Sequence, residues 1–337
     1  MKSSETPKII KRLAKQVGCQ VYLEPKYGLA GQIVFKNGRK FYFKNTSLDI
    51  NGFGAVEIAR DKSYAKLFMK RLGYKIPFGR NFFSDHWCKV NGAKNDFRAA
   101  IKFANSLGYP VILKPNASNQ GKDVFKIYNK VQLRKLLKEV FKKSNVALLE
   151  EYLSGHDYRL VVLKKEMMIA YERLPLAVIG NGEDTIRKII GVRNREFKKT
   201  KQEVFVDIHD KRIIERLRNF YKITLRRIPK MGEKIVLLDN ANLSSGGEAV
   251  DVTDTVHSTY RRLAIKLAKD MNLNFAGVDF ITKSDITKPA KNKDVVFLEI
   301  NASPGLLHYR ATSSEAARRV DDLYREILLF FKSKSGL

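Results

Sequence analysis

Apolar and polar positions alternate through residues 20–44 with the two-residue period of strands: QVYLE, then QIVFK, then KFYFK, the last two joined across Asn37-Gly38. An Asn-Gly pair between alternating runs predicts a hairpin, so a small α/β leader is expected up to about Arg60. After Asp61 the period changes. KSYAKLFMKRLGY sets apolar residues near i, i+3 and i+4 and stops at Gly73 with Pro77 beyond, which predicts an amphipathic helix. FRAAIKFANSLG repeats that pattern, ends at Gly108 and runs into the strand YPVILKP. FKIYN, the helical VQLRKLLKEVFKK and the strand VALLEEYL complete a compact α/β pattern over residues 61–147. The remainder, 148–337, reads as strands RLVVL, MMIAYERL and KIVLL, the helix YRRLAIKLAKDMN, strands NFAGVDFIT and DVVFLEIN, and a last amphipathic helix over 315–332. No internal repeat and no low-complexity linker interrupts this order.

Composition narrows the class. Of 337 residues, 64 are basic and 35 acidic, a net charge of +29, while 44% are apolar, enough for a core rather than a disordered basic tail. No apolar run approaches the roughly 18–20 residues of a spanning helix. The start, MKSSETPKIIKRLAKQVG, lacks the apolar stretch of a secretory signal, so we expect a soluble, cytoplasmic chain without a membrane partner. Cys19 and Cys88 alone cannot frame a disulfide scaffold or a Cys-based zinc site and are expected as reduced thiols. The charge points to a polyanionic partner, whether nucleic acid, an anionic membrane face or an acidic substrate, without choosing among them. Residues 187–230 hold fifteen basic against five acidic residues, including Lys198, Lys199, Lys201, Arg226 and Arg227, but a solvated basic face explains that count as well. No CxxC…HxxxH finger, RNP-type aromatic string or isolated Lys/Arg block accompanies it, so nucleic acid is not the expected partner.

Four stretches carry candidate chemistry. Lys114 ends an apolar strand and precedes the polar loop NASNQGKDV, whose backbone N–H groups and Lys122 can face phosphate oxygens while Lys114 supplies a buried point charge. A plain hairpin with a snorkelling lysine fits the same letters. LLEEYLSGHDYRLVV sets Glu150 and Asp157 seven residues apart with Arg159 just beyond; a strand entering a loop can hydrogen-bond a flat base, and the later carboxylate can accept from hydroxyls, or these are surface charges. Asp279, Glu299 and Asn301 interrupt apolar strands. Glu299 and Asn301 share a face about 6–7 Å apart, and pairing of the two strands brings Asp279 to them. A buried carboxylate needs a partner, which is either magnesium bridging phosphates or a Lys or Arg. NANLSSGGEAVDVTDTVH, with Asn242, Ser244 and Ser245 as donors and Gly246 and Gly247 for close approach, suits an anion or is a Gly-rich turn.

Taken in order, ANLSSGGEAVDVTDTVH, AGVDFIT, EINASPG, ERLPLAVIGNGEDTI and EEYLSGHDYRLVV resemble an ATP-grasp carboxylate–amine ligase over Arg60 to Tyr309. The likeness is strongest to the ATP-grasp region of the cyanophycin synthetases and next to glutathione-synthetase-type domains. The resemblance implies an α/β fold in which nucleotide is clamped between a small lid subdomain, 61–147, and a large one, 148–337, behind a leader over 1–60. It implies that Lys62, Lys114, Gly121 and Lys122 contact ATP phosphates, that Glu150 and Glu151 hold adenine, and that Asp157 binds ribose. Asp279, Glu299 and Asn301 match the ligands of Mg2+, for which Mn2+ can substitute, and Arg159, Arg173, Asn242 and Ser244–Gly247 fall where the family handles acyl phosphate or substrate. One departure is Asp123, which stands where relatives carry a second glycine in the phosphate loop and would repel phosphates unless it turns outward or meets Lys122. The cyanophycin synthetases also continue into a Mur-ligase-like domain, whereas this chain stops at Leu337, so full cyanophycin synthesis by this chain alone is not expected. The implied reaction joins a small-molecule or peptide carboxylate to an amine through an acyl phosphate. A kinase and a polyanion-binding protein with a vestigial ATP site are the alternatives. The family often forms dimers or tetramers, and a homo-oligomer is expected.

Overall fold

The computed structural model describes residues 5–116, 124–200 and 204–336. Its described residues fall into two compact units that interleave along the chain, one drawn from Met1–Lys75, Tyr158–Glu172 and Asp251–Leu337, the other from Ile76–Asp157 and Arg173–Val250.

In the first unit the leader is a four-stranded antiparallel meander, Cys19–Leu23, Ala30–Phe35, Lys40–Lys44 and Ser47–Leu48. The Asn37-Gly38 hairpin forms. Its loop is longer than a two-residue turn, because Phe35 N–H bonds to Arg39 C=O and only Gly38 takes a left-handed conformation, φ +82°. Alternation puts Ile33, Phe35, Phe41 and Phe43 in the core. Helix Glu5–Val17 buries Ile9, Ile10, Leu13, Ala14 and Val17, and the ring of Phe331, from the C-terminal helix Ser314–Lys334, stacks on Phe41 at 4.4 Å. Leader and C-terminus thus share one core, although nearly the whole chain separates them.

A five-stranded sheet follows in the order Glu248–Asp251, Glu166–Leu174, His156–Leu163, Phe275–Thr282, Val296–Asn301. The Phe275–Thr282 strand is buried along nearly its whole length, as its unbroken apolar run requires, and Asp279 is the charged exception. Helix Lys62–Arg71 starts where Asp61 accepts from the Ser63 and Tyr64 N–H groups. A second helix, Phe53–Arg60, precedes it; the sequence pattern did not reveal this element or Glu5–Val17.

The second unit contains a four-stranded antiparallel sheet, Gly79–Phe83, Val146–Glu151, Val111–Pro115 and Phe125–Ile127. Helices Phe97–Leu107 and Lys130–Lys143 supply Ala100, Ile101, Ala104, Leu133 and Leu137 to its core with Phe82, Leu113 and Leu149. A separate core in the same unit joins helix Ile186–Lys199 to the ribbon Ala177–Ile179 and Lys234–Val236 through Ile186, Ile190, Val178 and Ile235.

Candidate functional site

The most organised polar cluster lies in the first unit. Strands Phe275–Thr282 and Val296–Asn301 are antiparallel neighbours with Asp279 directly opposite Glu299 and Gly277 opposite Asn301. The register shifts between Asp279 and Phe280, a local irregularity that re-aims side chains. Asp279 is fully buried. Arg159, from the next strand, forks onto it, with Nε 2.6 Å from Oδ1 and Nη2 2.5 Å from Oδ2. Nη2 also lies 3.7 Å from Glu299 Oε1, and Asn301 Nδ2 is 3.4 Å from that same oxygen. Gly277 makes room for this. A Cβ there would stand 2.9 Å from the Pro304 Cβ and 3.6 Å from Arg159 Nε.

Burial opposes the Arg159 charge, but Asp279 and then Tyr171 outweigh it, so its pKa sits well above the ordinary value and the guanidinium stays charged. Arginine is thus one of the two partners anticipated for the buried acid. Arginine takes one lone pair on each Asp279 oxygen, out of about four on a carboxylate. Glu299 is 31% exposed. Two carboxylates and an amide oxygen form a hard-oxygen donor set, which suits a divalent ion such as Mg2+ that takes further oxygens from phosphates. No group of three or more His, Cys, Asp or Glu that could hold a metal occurs among the described residues, so such an ion depends on oxygens brought by its ligand. The residues fit the group on those terms.

In the second unit Lys114 Nζ lies 2.7 Å from Glu150 Oε2, both nearly buried. Gly79, opposite Glu150, is needed because a Cβ would come 2.5 Å from the Glu150 Cγ. Lysine and glutamate, read separately from sequence as phosphate and adenine contacts, are thus one ion pair. Glu151 Oε1 accepts from the Phe78 N–H at 2.8 Å. Asp157 Oδ1 accepts from Arg173 Nε at 3.0 Å and Nη2 at 2.6 Å. Gly121, Lys122 and Asp123 lie outside the described residues. Lys62 opens the helix capped by Asp61, in the first unit.

The 240–247 loop is a short 3-10 turn over Leu243–Ser245. Asn242 C=O accepts from the Ser245 and Gly247 N–H groups, at 3.0 and 3.1 Å, which turns Ser244 and Ser245 over a tight corner. Gly246 has φ +89°, and a Cβ on Gly247 would stand 2.6 Å from the Leu174 carbonyl oxygen, so each glycine answers a steric demand. Arg193 braces this corner, donating to Gly246 C=O at 3.3 Å, Ala177 C=O at 3.0 Å and Glu248 at 2.7 Å. Sequence reading counted Arg193 only as charge. It also missed Lys126, whose ammonium sits 3.6 Å from the Tyr152 ring centroid, and a cluster of Tyr128, Asp239 and Arg216. A residue's pairing across strands leaves no local trace, so no signal in the sequence singled these out.

Comparison with known proteins agrees with this architecture. Two family descriptions match: D-ala D-ala ligase C-terminus over residues 86–180 and RimK-like ATP-grasp domain over 224–322. Cyanophycin synthetase from Trichormus variabilis is 32% identical over 300 residues, 86% of this chain and 31% of that protein. The glutathione biosynthesis bifunctional protein GshAB of Clostridium perfringens is 28% identical over 275 residues, 79% of this chain and 34% of its own. The chain therefore spans about a third of the length of these relatives. Among solved structures, a bifunctional glutathione synthetase from Pasteurella multocida superposes with a TM-score of 0.62 at 21% identity, covering 95% of this chain and 44% of that one, which shows a shared fold. With two family matches and relatives aligned along most of its length, the chain belongs to the ATP-grasp ligase family and is related to the cyanophycin synthetases.

Proposed function

We propose that this chain is an ATP-dependent carboxylate–amine ligase acting on an amino acid or an acidic peptide. A substrate carboxylate oxygen attacks the γ-phosphorus of ATP, the bond to the β-phosphate oxygen breaks, and an acyl phosphate and ADP form. An amine then attacks the acyl carbon, phosphate leaves, and the amine proton passes to water or phosphate. The observation that carries this reading is the Asp279–Glu299–Asn301 face with Arg159 locked onto its buried acid.

Asp279, Glu299 and Asn301 would hold Mg2+ or Mn2+, which when bound neutralises charge on the nucleotide's phosphates. Arg159 stays cationic and offsets charge that gathers on the transferring phosphoryl group. Lys62, Lys114, Gly121 and Lys122 bind phosphates, Glu150 and Glu151 adenine, and Asp157 ribose; Arg173, Asn242 and the Ser244–Gly247 turn orient acyl phosphate or acceptor. We assign 61–147 as the lid subdomain, 148–337 as the large one and 1–60 as a leader, and the use of ATP suits a cytoplasmic setting.

The acidic acceptor is supported by residues 187–230. Among the described residues Lys188, Arg193, Arg212, Arg216 and Arg227 are in ion pairs, and the segment's excess of fifteen basic over five acidic residues leaves a positive field for a carboxylate-rich molecule. Added salt should therefore raise the KM of an acidic acceptor more than that of a neutral analogue, and equal responses would remove electrostatic recruitment.

The deciding experiment measures ADP and phosphate release from purified protein with Mg-ATP and pooled amino acids and acidic dipeptides, with products read by mass spectrometry. Amine-dependent release with a product mass of acid plus amine minus water is expected. Amine-independent release of a phosphorylated product would make the chain a kinase, and absence of ATP binding would favour polyanion binding instead.

A further inference from the structure

Tyr309 is wholly buried, where a phenylalanine would pack as well, yet it carries a hydroxyl. A buried hydroxyl costs free energy unless it is bonded. This one donates to Asp251 Oδ2 at 2.5 Å. Its ring stacks on the buried Tyr171 at 4.8 Å and 15°. Asp251 ends the strand that follows the 240–247 turn, four residues past Gly247, and Tyr309 lies eight residues past Asn301. One side chain thus ties the end of that strand to the segment that follows Asn301.

The surroundings of Asp251 are equally constrained. Its Oδ1 accepts from Thr253 N–H at 2.8 Å, and Arg319 Nε stands 3.3 Å from Oδ2 while its Nη2 reaches Asp254 at 2.5 Å and Glu315 at 3.2 Å. Val252 N–H bonds to Ala170 C=O at 2.9 Å, and the Thr253 hydroxyl accepts from Ala170 N–H at 3.0 Å and donates to its C=O at 3.2 Å. Segment 251–256 is therefore sewn to the strand that also bears Tyr171.

We propose that Tyr309 is a positioning residue for the acceptor machinery: its hydroxyl fixes Asp251, the last residue of the strand that leads out of the 240–247 turn. The link to the acceptor rests on the ligase reading above; the mechanical part does not. Tyr309→Phe isolates that bond, because the ring remains and only the hydroxyl's bond to Asp251 goes.

Hydrogen–deuterium exchange and steady-state kinetics on the full chain test this together. In Tyr309→Phe, amides of residues 251–256 should exchange about tenfold or more faster, the size expected for loss of one charge-assisted hydrogen bond, with the rest of the first unit unchanged. The KM for the acceptor should rise about tenfold while the KM for Mg-ATP stays within twofold, a split that loss of stability alone would not produce. Asp251→Asn keeps one acceptor oxygen for Tyr309 and should give a smaller rise in the same segment. Unchanged exchange at 251–256, or faster exchange spread through the whole first unit, overturns the proposal. If wild type shows no amine-dependent turnover, the ligase reading fails, and the exchange result still decides the positioning role.

Discussion

Replacing Asp279 by asparagine changes one atom, and the structure makes the consequence large. Asp279 is fully buried and accepts two charge-assisted bonds from Arg159, at 2.6 and 2.5 Å. Asparagine keeps one acceptor oxygen and turns an NH2 group toward the guanidinium, leaving the nearly buried Arg159 cation without the charge of its bidentate partner. Breaking a buried pair from one side costs about 3–5 kcal/mol, whereas replacing both members by apolar residues is often neutral. Asp279→Asn should therefore lose about 3–5 kcal/mol, which for a unit of roughly 150–250 residues lowers the melting temperature by about 6–20 °C. Asp279→Leu/Arg159→Met should recover most of that loss while staying inactive. Glu299→Gln is the contrasting case, because Glu299 is 31% exposed and its loss should cost under about 1 kcal/mol yet abolish ATP turnover. The assays are chemical denaturation of each variant followed by ADP release on the folded fraction. An Asp279→Asn protein as stable as wild type would refute the reasoning about the buried pair, and full turnover by Glu299→Gln would remove it from the metal site.

Further outcomes follow from the same geometry. Lys114→Met should destabilise by about 3–5 kcal/mol by stranding Glu150, and Lys114→Met/Glu150→Met should restore stability without restoring nucleotide binding, as calorimetric titration with Mg-ATP can show. Gly247→Ala drives a Cβ to 2.6 Å from the Leu174 carbonyl oxygen and should cost about 1–3 kcal/mol, read as a lower denaturation midpoint together with a raised acceptor KM. Burial favours the neutral acid at Asp251, but hydrogen bonds from Tyr309 and Thr253 outweigh it and hold its pKa below the usual carboxylate value. Its stabilising contribution is then complete above about pH 4, the range of an unfolded aspartate, and is lost as pH falls through the lowered native value. The gap in melting temperature between wild type and Tyr309→Phe should accordingly be constant at neutral pH and close on acidification below about pH 4; a gap that widens there would contradict this assignment.

Much of the molecule was legible in local pattern. The Lys62–Arg71, Phe97–Leu107 and Lys130–Lys143 helices carry their apolar stripe and stop signals within a dozen or so neighbours, and the strands around Asp279 and Glu299 announce themselves as apolar runs broken by a single acid. Period and punctuation are properties of adjacent residues, so one chain suffices to read them. The facing of Glu299 and Asn301 followed from the same period, and the family followed from ordered motifs.

Partnerships were decided only by the tertiary structure. Arg159 and Asp279 are 120 positions apart, and nothing near either residue names the other until strand order places them side by side. Lys114 and Glu150 read as two ligand contacts until antiparallel pairing joined them. Helices Glu5–Val17 and Phe53–Arg60 escaped the reading: the first alternates charge with short apolar pairs, and its apolar face acquires meaning only against the leader sheet and the C-terminal helix. The interleaving of the two units has the same origin. Local sequence encodes what each segment can bury, and the choice of what it is buried against belongs to the whole chain.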